Sequence, residues 1–444
     1  MMVAANRELG GKPVLVVGLG LTGWSVVRFL KSRGEDVVVA DSREAPPYRD
    51  ALETNFPDVP LLDWNRGINE QAYGGIVASP GMAVPGDAVI GDVELFAREA
   101  KAPVVAVTGS NGKSTVTMLV QRMLDCAGTG ALAGGNIGTP VLDLLAQPVP
   151  DFYVLELSSF QLETTRSLRP AAAVVLNLSE DHMDRYGDMD AYLAAKLRIY
   201  DGAACRVFNR DDPRLAGMAR RDTDITFGLG SPGDGDLGVV RRAGERWLCH
   251  GESMLAPVSA LSLQGEQNVS NMLAALALVA GVLGKAGRVV EGHRIDAGLA
   301  FEGLPHRCEL VPTGDGVRWI NDSKGTNVGA AMAAIGGAGR PLVLIAGGQG
   351  KGADFSPLKS VMDPGVRAVI LIGEDADRME GSLGLGDRIW RESSLAAAVS
   401  RARLLSRPGD TVLFSPACAS FDMFDDYAHR GECFRQLVTG GPAG

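Results

Sequence analysis

The chain has 444 residues, which at roughly 150 residues per domain predicts about three domains. Hydrophobic residues at 46% and charged residues at 22% suffice for packed cores and exclude a disordered or fibrous chain. A net charge of −10 has the wrong sign for gripping a nucleic-acid backbone, so any anionic ligand needs a local cradle of amides and cations.

Taken in order, short apolar runs over 14–17, 37–40 and 76–78 alternate with helical stretches and predict parallel strands covered on both faces. Charged residues precede the first run, but glycines interrupt it at once, so it reads as a strand and not as an export signal. Turn residues over 85–87 and a helix through Glu94, Leu95 and Phe96 place a boundary at 92/93. Strands over 104–107, 153–156 and 173–177 follow, then a glycine- and aspartate-rich stretch over 228–246 that reads as a loop or hairpin insertion. The longest apolar run, 272–284, is shorter than the roughly 20 residues of a membrane span and predicts a buried helix without membrane insertion. A break near 298–305 precedes strands over 317–320, 342–346, 368–372 and 411–414. The fold class is therefore α/β with three units: 1–92, Rossmann-like by its Gly-Leu-Gly-Leu-Thr-Gly turn over 18–23; 93–300, a parallel sheet made P-loop ATPase-like by Gly-Lys-Ser-Thr over 112–115 at a strand–helix junction; and 301–444, Rossmann-like. The six scattered cysteines form no CxxC pair, which predicts no zinc ribbon or dithiol centre and fits a reduced, cytoplasmic setting.

Three segments carry chemistry. Gly18-Leu19-Gly20-Leu21-Thr22-Gly23 follows a strand and opens a helix, with Asp41 at the end of the next strand, which is the pattern of a dinucleotide site. The physics requires only a diphosphate at a helix N-terminus, so a nucleotide-sugar diphosphate satisfies it as well as NAD. Thr108-Gly109-Ser110-Asn111-Gly112-Lys113-Ser114-Thr115 sits between a strand and a helix starting near Val116, where amides and Lys113 can hold phosphates and Ser114 can meet Mg²⁺. Its spacing is shorter than that of the usual phosphate loop. Glu156 ends one strand, and Asp181, His182 and Asp184 follow another, so these candidate metal ligands fall at strand carboxyl ends beside that loop.

Together TGSNGKST, ELSSFQLE (156–163), NLSEDHMDRYG (177–187), KLRIY (196–200), GLPHR (303–307) and NDSKGTN (321–327) resemble the Mur ligases of peptidoglycan synthesis, across all three units. The resemblance implies an ATP-dependent carboxylate–amine ligase working through an acyl phosphate and a tetrahedral intermediate, with two Mg²⁺ ions, replaceable by Mn²⁺. The stretch GKGADFSPL is similar to the branch that adds D-glutamate to UDP-N-acetylmuramoyl-L-alanine. The implied ATP contacts are Gly109 to Thr115, with Arg307, Asp322 and Lys324 reaching across from the third unit. Metal ligands would be Ser114, Glu156, His182 and Lys196, the lysine carbamylated by CO₂ so that it presents an anion, and Lys113, His182 and Lys196 would be catalytic. The muramoyl nucleotide would lie on Leu21, Thr22, Gly23, Asp41, Ser42, Arg43, Ser79, Pro80, Gly81, Asn136, Ser158 and Gln161. D-Glutamate would meet Thr326, Lys351, Ser420 and Tyr427. A monomer acting on small molecules is expected. Other ligases of the superfamily, folylpolyglutamate synthases included, and a nicotinamide-dependent oxidoreductase stay open as readings. The diamino-acid branch lacks its Asp-Asn-Pro-Arg signature here, since the similar Asp211-Asp212-Pro213-Arg214 lies in the central unit.

Overall fold

A computed structural model describes residues 11–440 apart from 83, 85, 87, 127–129, 184, 219–220, 264 and 285–291. Asp184, and two residues of the turn over 85–87, thus lie outside the described residues. The first unit is a parallel sheet of β1 (Val14–Val17), β2 (Val37–Asp41), β3 (Leu61–Asp63), β4 (Gly75–Ala78) and β5 (Val89–Ile90) in the order β3-β2-β1-β4-β5. All of β1 is buried, as a β-branched run covered on both faces must be.

The middle unit contains β6 (Val104–Thr108), β7 (Ala131–Gly135), β8 (Phe152–Glu156), β9 (Ala172–Val175), β10 (Cys205–Asn209), β11 (Ile225–Phe227), β12 (Leu237–Arg242), β13 (Glu245–His250) and β14 (Ser253–Pro257). Their order is β14-β13-β12-β11-β10-β9-β6-β8-β7. From β7 to β12 the pairing is parallel, and β12, β13 and β14 extend the sheet as antiparallel hairpins, so the 228–246 stretch is a loop that becomes a hairpin. The β6 strand lies between β8 and β9, where connections leave to opposite sides, and a crevice opens at such a point beyond the strand carboxyl ends.

Helix Glu266–Leu283 is the one described helix long and apolar enough to cross a membrane. Every residue from Met272 to Ala280 is nevertheless buried in the core it shares with β9, β10, β11 and helix Lys113–Asp125, which accounts for its apolar character all round.

The third unit has β15 (Glu309–Val311), β16 (Arg318–Asn321), β17 (Leu342–Gly347), β18 (Val366–Ile372), β19 (Ile389–Arg391) and β20 (Thr411–Phe414) in the order β15-β16-β20-β17-β18-β19, parallel except for β15.

The first two units share one core, in which Val26, Val27 and Leu30 join Phe96, Val141 and Leu142. Polar ties flank it: Ser25 and Arg28 donate to the Asp143 carboxylate at 2.8 and 2.7 Å. The 92/93 boundary falls at the start of helix Asp92–Glu99, which packs on the middle unit. The third unit also reaches the middle one, since Arg307 Nη2 donates to Ser114 Oγ at 2.5 Å.

Candidate active site

The phosphate loop follows β6, with Gly112 in the left-handed region (φ 83°) and helix Lys113–Asp125 starting at once. The helix begins at Lys113, ahead of the expected Val116. Lys113 Nζ folds back onto the carbonyls of Gly109 and Ser110 at 2.8 and 2.9 Å, which holds the amine against the loop backbone. Burial lowers its pKa, against the pull of Glu156 and Asp181.

Glu156, 2% exposed at the end of β8, is the acceptor at the centre. Ser114 Oγ donates to one of its oxygens and Asn136 Nδ2 to the other at 2.8 Å. Lys196, on helix Met189–Leu197, is 1% exposed; its Nζ donates to Gly109 O at 2.9 Å and lies 4.4 Å from the Tyr192 ring. Burial first, and then the neighbouring Lys113 charge, hold the Lys196 amine well below its ordinary pKa, despite Asp181 and Glu156. His182, at φ 58°, packs its ring edge-on to Phe160 at 4.7 Å, with Nε2 3.8 Å from Asp181 Oδ1.

A cavity of about 230 Å³ gathers Lys113, Asn136, Glu156 and His182 from the middle unit with Arg307, Lys324, Thr326, Lys351, Ser420 and Tyr427 from the third. A second, of about 260 Å³, shares Asn111, Gly112, Arg307 and Lys324 with the first and adds Thr115, Asn271 and Asp322. Burial raises the Asp322 carboxyl to about 6, with Ser415, the Cys308 amide and Arg307 opposing. Burial, reinforced by Arg307, lowers the Lys324 amine to about 8, and its Nζ sits 3.6 Å from the Tyr427 ring centre.

In the first unit, both Asp41 oxygens are engaged by the chain itself. Oδ2 accepts from the Leu19 amide at 2.6 Å and Arg43 Nη2 at 2.8 Å, and Oδ1 from the Arg43 amide and Nε at 2.8 and 2.9 Å. Burial alone would raise this carboxyl, but those bonds outweigh it and draw it down to about 2. Leu21 is exposed, Thr22 half-buried and Gly23 buried. Ser79 and Pro80 line a cavity of about 330 Å³ shared with Phe160, Arg166 and Arg185 of the middle unit, with exposed Gly81 following them. Ser42 and Arg43 instead face a cleft of about 600 Å³ with Arg49 and Arg66.

Ser158 and Gln161 form a capping box at helix Ser159–Glu163, and Gln161 Nε2 reaches Asp92 at 3.3 Å; neither residue lines these cavities.

Sequence reasoning passed over Asn327, Phe421, Asp426 and Arg430. The first three line the 230 Å³ cavity. Arg430, 1% exposed, clamps the loops around it by donating to Ser323 Oγ and O and to the carbonyls of Cys418 and Ala419 at 2.8–3.1 Å. Its spacing to Phe434 and Val438, four and eight residues on, already marks it as facing the core.

Among the described residues, no group of three or more His, Cys, Asp or Glu side chains could hold a metal ion by itself. The oxygen donors Ser114 and Glu156 still fit Mg²⁺, which keeps several waters and binds through one or two carboxylates plus substrate phosphates.

Sequence comparisons agree across the chain. The Mur ligase MurD-like N-terminal domain matches residues 12–94, the Mur ligase middle domain 107–279 and the Mur ligase glutamate ligase domain 306–418. The chain is 49% identical to the UDP-N-acetylmuramoylalanine–D-glutamate ligase of Nitrosococcus oceani, with 96% of each chain covered. It is 44% identical to the same-named protein of Legionella pneumophila strain Paris, covering 96% of this chain and 98% of that one. Its fold resembles those of MurC from Thermotoga maritima (TM-score 0.60, 19% identity, 95% and 98% of the two chains) and MurF from Acinetobacter baumannii (0.62, 16%, 96% and 90%). The chain belongs to the Mur ligase family, whose members are ATP-dependent ligases.

Proposed function

We propose that the protein joins D-glutamate to UDP-N-acetylmuramoyl-L-alanine at the expense of ATP. The observation that carries this reading is the single cavity in which the phosphate-loop Lys113 and the buried Glu156 face Lys351, Ser420 and Tyr427 of the third unit. Relatives at 44–49% identity that bear the name of that activity support it.

A carboxylate is a poor electrophile at neutral pH. In the proposed reaction an oxygen of the alanyl carboxylate attacks the γ-phosphorus, the bond to ADP breaks, and the acyl phosphate gains a leaving group. The amine of D-glutamate then attacks the carbonyl carbon and loses a proton, and the tetrahedral intermediate expels phosphate. Lys113 and Arg307 would offset the anionic charge and Lys351 would pair with a carboxylate of the amino acid, a reading supported by all three lining one cavity. Asp322 and Lys324 line the 260 Å³ cavity, which would take the nucleotide. Ser114, Glu156, His182 and a carbamylated Lys196 would hold two Mg²⁺ ions, or Mn²⁺ in their place, whose contribution when bound is to neutralise phosphate charge. Carbamylation needs a neutral amine: Nζ attacks CO₂, and a proton leaves to solvent. Burial beside Lys113 supports that state of Lys196. The first unit would hold the uridine diphosphate along 18–23, 41–43 and 79–81. The same reading takes the enzyme to be a cytoplasmic monomer.

Incubation with ATP, magnesium, UDP-N-acetylmuramoyl-L-alanine and one amino acid at a time tests this. Phosphate release with D-glutamate, and none with a diamino acid or L-alanine, is expected; the reverse pattern would overturn the choice of substrate.

A further inference from the structure

The residue that ends the 321–327 motif has no part in the chemistry above. Asn327 caps helix Val328–Gly337, its Oδ1 accepting from the Ala330 amide at 2.8 Å. The same side chain crosses to the middle unit. Its Nδ2 donates to Asn111 Oδ1 at 3.2 Å, and Asn111 Nδ2 donates back to Asn327 Oδ1 at 3.4 Å. Asn327 Nδ2 also donates to Asp181 Oδ2 at 3.3 Å.

Two residues on, the backbone itself touches down. A Cβ on Gly329 would lie 2.8 Å from both Cβ and Oγ of Ser179. Ser179 Oγ in turn accepts from Asn111 Nδ2 at 3.2 Å, and the Ser179 amide donates to Ser110 Oγ at 3.0 Å. One helix start in the third unit thus rests on the phosphate loop and on the segment that carries Asp181 and His182.

We propose that Asn327 and Gly329 are positioning residues that seat the third unit on the phosphate loop in the register where the acyl phosphate meets the amino acid and not water. The proposal rests on the ligase reading. Out of register, water attacks the carbonyl carbon, the bond to the phosphate oxygen breaks, and carboxylate, phosphate and a proton result. ATP is then consumed with no amide formed.

Two variants separate docking from folding. Asn327→Ser keeps a capping hydroxyl but cannot make the reciprocal amide pair. Gly329→Ala has no left-handed backbone to strain, and alanine is the better helix former, so by itself it favours the helix. The experiment measures phosphate released and amide formed by the full chain, its melting temperature, and small-angle scattering with ADP and magnesium. Both variants are expected to release about tenfold more phosphate per amide than the parent. They are also expected to scatter as more extended molecules, with Gly329→Ala melting no lower than the parent. Parent-like coupling and compaction in both variants would overturn the proposal, as would coupling lost only in proportion to lost fold. If the parent forms no amide with D-glutamate, the substrate reading fails alone, and the scattering comparison still decides the docking role.

Discussion

Replacing Lys196 with methionine should separate stability from activity. The lysine is 1% exposed, and its amine donates a hydrogen bond to Gly109 O at 2.9 Å and lies over the Tyr192 ring. Methionine fills nearly the same volume and loses that bond, at a cost of about 1 kcal/mol, while removing a basic group that burial disfavours. The net change in stability should therefore stay within about 1 kcal/mol. Alanine would empty the site of three methylenes, at about 0.8 kcal/mol each, and destabilise by roughly 2–3 kcal/mol. Activity should follow a different rule. If the residue acts as a carbamate, both variants lose the anion it presents, and kcat should fall by at least about a hundredfold. Phosphate release before and after addition of short carboxylates, beside a urea titration, reads both quantities. A methionine variant with full activity and no response to carboxylates would refute the role.

Gly23→Ala should cripple binding of the muramoyl nucleotide, because the added Cβ would sit 1.8 Å from the Gly18 carbonyl oxygen and force the turn open. Overpacking of this kind costs about 1–3 kcal/mol, so calorimetry should show weaker binding together with a lower melting temperature, and parent-like values for both would refute the clash. Asp92 is buried, with one oxygen lacking a hydrogen-bond partner, and burial raises its carboxyl to about 6. The folded state therefore binds the proton more tightly than the unfolded one, and stability should drop as pH rises from about 4 to 6. Asp92→Asn should flatten that part of the denaturation profile; an unchanged profile contradicts the assignment. Lys324, lowered to about 8, should lose its charge above that pH, so kcat/KM for ATP should decline between about pH 7 and 9. Lys324→Arg should remove that decline, and a decline persisting in the variant would assign it to another group.

Much of this architecture was legible because long apolar runs have few alternatives. The strands over 14–17 and 411–414 were placed to the residue, and the phosphate loop was marked by Gly-Lys-Ser-Thr at a strand–helix junction. Edge strands such as Leu61–Asp63 and Ile389–Arg391 escaped notice, since three partly exposed residues carry too little periodicity. The Ser158–Gln161 pair had a readable local signal, the S-x-x-Q of a capping box, that competed with its reading as a substrate contact. Asp41 shows a related ambiguity: a carboxylate after a strand reads as a ligand contact, while folding turns it toward Arg43 and Leu19. Asn327 meets partners more than 100 residues away, which no local pattern encodes, and the spacing that turns Arg430 toward the core does not name Ser323, 107 residues away, as its partner.

In the proposed reaction ATP is spent to make a muramoyl carboxylate reactive toward D-glutamate. The most direct test is a full-chain reaction with labelled D-glutamate, UDP-N-acetylmuramoyl-L-alanine, ATP and magnesium, following phosphate and amide together. One phosphate is expected for each amide formed, and no amide without ATP. Amide formation without phosphate, or ATP hydrolysis that leaves the labelled amino acid free, would contradict it.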